Sequence, residues 1–163
     1  MRRLLCFVVL GVLTTAGLGQ AAGPKDYAKG AGTQVGGVSF WFNATSDPAG
    51  GSPTGTIRIT TTSGSQEVEI VATVTCMATI GNPLLGGGTA VMGGDITRTR
   101  PSGVLPPGID GIIATAFDTG QPNGTNDALS WNLLTNGPPE HACVHNPAFL
   151  VPLAEGDITV LDE

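Results

Sequence analysis

Between residues 38 and 80 the chain alternates apolar and polar positions with a period of two. In 38–44 (VSFWFNA), Val38, Phe40 and Phe42 share one face and Ser39, Trp41 and Asn43 the other. In 56–62 (TIRITTT), Ile57 and Ile59 oppose Arg58 and Thr60. The run 66–80 (QEVEIVATVTCMATI) is the longest: Val68, Ile70, Ala72, Val74 and Cys76 fall in one phase, Glu67, Glu69, Thr73 and Thr75 in the other, and only Val71 breaks the pattern. Successive side chains of a strand point to opposite faces, so these are strands with one buried and one wet face.

Weaker versions of the pattern predict strands at 27–33, 89–99, 109–119, 127–134 and 157–161. Gly93 and Gly94 interrupt one of them and predict a bulge or bend there. The joining stretches GNPLLGGG, PSGVLPPG and DTGQPNGTND are rich in turn residues. The stretch 135–155 reads as irregular, and contains Pro138, Pro139, Pro147 and Pro152. No long window beyond the N-terminus has helical periodicity free of Gly and Pro. The expectation is an all-β fold of about eight antiparallel strands. An up-and-down β-barrel, with the last strand paired to the first, is favoured over a two-sheet β-sandwich because most connections are hairpin-length.

Composition adds a compartment. Residues 1–21 carry Arg2 and Arg3, an apolar run from Leu4 to Leu13 and then small residues, which predicts a signal peptide cleaved after Ala21. The apolar run is too short to span a bilayer, and no other segment approaches the required length of about 20 residues. Cleavage leaves 22–163 as one all-β domain and moves the formal net charge from −6 to −8. Only Lys25, Lys29, Arg58, Arg98 and Arg100 are then basic, and so small a basic set disfavours nucleic acid and anionic lipid as partners. Charged residues are 12% of the chain, against about 25% in an average soluble protein. This suits an exported protein, secreted or periplasmic, with hydroxyl-rich outer faces.

Several short motifs together resemble a group of exported bacterial all-β domain proteins to which no activity is assigned. They are Val74-Thr75-Cys76 with Gly81-Asn82, the turn Phe117–Gly124 with Asp127, and Cys143 followed by Pro152-Leu153 and by GDITV at 156–160. The resemblance implies a fold class and no chemistry.

Candidate chemistry is sparse. Cys76 and Cys143 are expected to form a disulfide, since export exposes them to oxidation and the count beyond the leader is even; the alternative is a buried free thiol at Cys76, which has the inward phase of its strand. Asp118, Asn123, Asn126 and Asp127 offer oxygen ligands for calcium, but they lack the EF-hand order and are also what a tight turn needs. His141, Cys143 and His145 carry nitrogen and sulfur ligands, but nothing in a proline-flanked loop fixes their geometry and a disulfide at Cys143 would remove the thiolate. No serine lies in a nucleophile elbow and no triad is recognisable, so no catalytic residue, cofactor or metal is assigned. Three functions stay open: a non-catalytic exported barrel acting through its surface or loops, a small-molecule binder using the barrel mouth, and an enzyme with a site assembled by the fold. Bulky residues filling the barrel would favour the first.

Overall fold

In the computed structural model, which describes residues 25–82, 84, 86–121, 124, 126–135, 143 and 149–162, every predicted strand is present. They are β1 (Asp26–Gln34), β2 (Ser39–Ser46), β3 (Thr54–Ser63), β4 (Gln66–Asn82), β5 (Gly87–Arg100), β6 (Ile109–Asp118), β7 (Ala128–Thr135) and β8 (Val151–Leu161). Each pairs antiparallel with the next and β8 pairs with β1, so the sheet closes into an up-and-down barrel. The predicted signal peptide lies outside the described residues.

The period-two phases assign the interior. Phe40, Phe42, Ile57, Ile59, Val68, Ile70, Ala72 and Val74 are all buried, and Met92, Ile112, Leu129, Ile158 and Val160 join them from the remaining strands. The residue that broke the pattern, Val71, stands on the outer face between Arg58 and Arg98. Both guanidiniums bind Glu69, at 2.7 and 2.8 Å, so Val71 lies between two fixed arginines instead of open water.

The phase of Cys76 differs from the expectation. The register of β4 against β5 shifts between Val74 and Cys76, opposite Gly93 and Gly94, where the glycines predicted an irregularity. Thr75 is the extra residue, and it hands the inward position from Cys76 to Met77, which pairs with Met92 in the core. Cys76 therefore pairs with Gly93 on the outer side, although it remains buried. A bulge changes the facing of every residue beyond it.

The last strand also differs. It begins at Val151, inside the stretch 135–155 that read as irregular. Its first half is mostly exposed, so no buried face marks it in the sequence. Backbone pairing with β1 defines it instead, from Gln34↔Leu153 to Tyr27↔Leu161.

On its other edge β8 meets β7 at only two pairs, Ala128↔Pro152 and Leu129↔Val151. Below them the end of β6 and the β6–β7 connection take the place of a strand. The Leu153 N–H donates to the Asp127 carbonyl at 3.0 Å, the Ile158 N–H to Asp127 Oδ2 at 2.9 Å, and the Val160 N–H to Asp118 Oδ2 at 2.9 Å. The other oxygen of Asp127 accepts from the N–H and hydroxyl of Thr119, and that of Asp118 from the Gly120 N–H. Glycine permits this approach. A Cβ on Gly124 would strike the Gly156 carbonyl, and one on Gly156 would strike the Ala31 carbonyl.

Asp127 is fully buried and its carboxylate satisfies three donors. Replacing Asp127 with alanine should destabilise the protein by at least about 3 kcal/mol, because buried donors lose a charged acceptor. Asp127→Asn should cost about 2 kcal/mol, since one amide end would face a donor with another donor. Denaturant melts of both variants check this; an asparagine variant as stable as the parent would show that the carboxylate is not needed at the seam.

Candidate functional site

The structure divides the residues that the sequence singled out. Asp118 and Asp127 come together, but both oxygens of each accept from protein donors and join the turn to β8. Asn126 is an exposed turn residue with φ of 67°, a left-handed conformation that asparagine tolerates. Asn123, His141 and His145 lie outside the described residues. Among the described residues no group of three or more His, Cys, Asp or Glu side chains is placed to hold a metal ion.

Cys76 and Cys143 are joined by a disulfide, with Cα atoms 6.1 Å apart, within the usual range for such bonds. Both are buried, and the outer surface beside Cys76 is covered too, since its neighbour across β5, Ile113 of β6, is only 3% exposed. The bond thus anchors residue 143 to the outside of the barrel wall.

A concave site lies elsewhere on the outer face, where β8, β1 and β2 run side by side. Pairing places Asp157, Ala31 and Trp41 in one row and Thr159, Lys29 and Asn43 in the next. Ala31 is too small to fill the space between its neighbours, and the result is a groove of about 300 Å³. Its floor is Gly30 and Phe42: a Cβ on Gly30 would lie 2.8 Å from the Phe42 ring, so the ring packs beneath bare backbone. Lys29 Nζ stands 5.7 Å from the Tyr27 ring centroid, a cation–π contact that holds one wall. Trp41 forms the other and is 45% exposed. On its far side a second groove of about 200 Å³ runs past Ser39 and Thr60 to Arg58.

The sequence reading placed Trp41 on the outer face but did not single it out. What it lacked was Ala31 and Asp157, which only ring closure brings alongside. A large aromatic at an outward strand position, without a neighbouring apolar residue to pack on, was the available signal.

Burial raises the pKa of Glu69, but the hydrogen bonds and charges of Arg58 and Arg98 outweigh it and hold the carboxyl below its ordinary value. Whatever the trio contributes is therefore present above the unfolded-state pKa and is lost as pH falls through the folded one.

Another exposed apolar cluster lies near the start of β8, where Val35, Phe149 and Val151 border a cavity of about 290 Å³.

Reduction of the disulfide should lower the melting temperature by roughly 10 °C, from about 4 kcal/mol of lost constraint on a loop this long in the chain-entropy model. Thiol titration of unreduced protein in denaturant should find none free beyond the leader, and two per chain would show that the bond does not form. Comparisons of the chain with family models, with curated proteins and with solved structures found no match in any of the three.

Proposed function

We propose that the protein is an exported, non-catalytic β-barrel domain that acts in the cell envelope or outside the cell through its outer face and loops. The observation that carries this reading is the filled interior. Phe40, Phe42, Ile57, Ile59, Val68, Ile70 and Val74 all point inward and are buried, leaving their volume to side chains instead of a ligand. The outer face, by contrast, carries the concave grooves beside Trp41. Export is supported by the composition of residues 1–21 and by a disulfide, which oxidising compartments favour. Among the described residues no helix is long and apolar enough to cross a membrane.

A second reading, a small-molecule site at the barrel mouth, is favoured by one feature. Asp26, Gly50, Met77, Thr79 and Cys143 border a cavity of about 390 Å³ at the end where β1 begins. Asp26 is buried there and accepts a 2.6 Å hydrogen bond from the Thr79 hydroxyl.

Titration with the fluorescent apolar probe anilinonaphthalene sulfonate separates the two readings. A filled barrel should show no stoichiometric binding at the mouth; saturable one-to-one binding that Thr79→Phe abolishes and Val35→Ser leaves intact would favour the mouth. Intact-mass measurement of protein recovered after export should give a chain beginning at Ala22, and retention of Met1 would end the leader assignment.

A further inference from the structure

We infer that the outer face around Trp41 is a binding platform for a neutral oligosaccharide, one sugar ring stacking on the indole with neighbouring rings in the two flanking grooves. The inference rests on the reading that the barrel works through its outer surface, and names the ligand class that this surface fits.

Five observations point to a sugar. A half-exposed indole in a polar sheet surface offers a flat apolar face, which suits the C–H face of a pyranose ring. The side chains beside it supply both kinds of hydrogen-bonding group, as a polyol requires: the Lys29 ammonium donates, the Asp157 carboxylate accepts, and the Asn43 amide and Thr159 hydroxyl do both. One cation and one anion line the main groove, so its formal charge cancels and a neutral ligand is favoured over an anionic one. Arg58, in the second groove, is already paired with Glu69, which removes the obvious anchor for an acidic sugar.

The fifth observation is direction. Asp157, Ala31, Trp41 and Arg58 occupy consecutive places in one row across β8, β1, β2 and β3, with a groove on each side of Trp41. A linear chain can therefore lie across the strands and meet the indole at its middle. The main groove stands at the lower end of the roughly 300–1,000 Å³ range of small-molecule sites, which suits contact along an extended ligand.

The test uses the full exported protein with cellohexaose, chitohexaose and polygalacturonate as probes, followed by titration calorimetry. At least one neutral hexasaccharide should bind, with a tenfold or greater loss in Trp41→Ala and several-fold losses in Asn43→Ala and Asp157→Ala. The melting temperature of Trp41→Ala should stay within about 2 °C of the parent, since the ring lies outside the core. Filling the groove with Ala31→Leu should also abolish binding. The inference is overturned if neither hexasaccharide binds at about 1 mM, if binding survives Trp41→Ala, or if only polygalacturonate binds. Sedimentation showing a dimer that Trp41→Ala dissociates would make a second copy of the chain the occupant, and also overturns it. A hexasaccharide failure with the apolar probe still excluded from the mouth defeats this inference alone, whereas stoichiometric probe binding at the mouth defeats the reading beneath it.

Discussion

The ring is closed by carboxylates. In an up-and-down barrel every strand must satisfy hydrogen bonds on both edges, and the last strand has to do so between neighbours from opposite ends of the chain. One edge of β8 is met by β1 along nearly its whole length, but β7 covers only two residues of the other. Asp127 and Asp118 supply the acceptors that a longer β7 would have provided, each reaching one N–H of β8, Asp127 from the connection before β7 and Asp118 from the last position of β6. An aspartate can do this where a backbone carbonyl cannot, because its two oxygens accept from several donors and its side chain spans the gap. Elsewhere the ladders run seven or more pairs, and losing one leaves many. At the seam few groups carry the closure. Gln34 adds one more, donating from β1 to the Leu129 carbonyl at 2.6 Å.

Much of this barrel was legible in the sequence, because burial on one face writes a period of two into the chain. That held for β2, β3 and β4 as far as Val74. It failed for the first half of β8, whose place is fixed by backbone pairing to Gly32 and its neighbours and not by apolar burial. The bulge was half legible: Gly93 and Gly94 announced an irregularity, but the extra residue is Thr75, on the partner strand. Hence the pairing of Cys76 and Cys143 could be argued from oxidation and count, while the face that Cys76 occupies could not.

The acidic turn shows why residue type underdetermines role. Asp118, Asn126 and Asp127 suit a turn, a calcium loop and an N–H acceptor equally well, since all three need short side chains bearing oxygen. What distinguishes them is where Ile158 and Val160 stand, and those residues lie far along the chain. The groove beside Trp41 has the same origin. It exists because Ala31 is small and because closure sets Asp157 beside it.

Pairing of β8 with β1 closes the ring and also builds the surface on which function is proposed. If β8 did not return to β1, Phe42 and Ile158 would lose the shared interior beneath Gly30, and Asp157 and Thr159 would leave the outer face. The two faces then divide the labour. The inner face, lined by buried side chains, resists change, because removing one of them leaves a cavity at a cost of about 2–5 kcal/mol. The outer face around Trp41 rests on exposed side chains whose replacement leaves the core untouched, and exposed positions of this kind shift stability by about 0.5 kcal/mol or less. A barrel built this way keeps its fold while the chemistry of its outer rows varies, so binding at Trp41 can be altered without unfolding the ring that presents it.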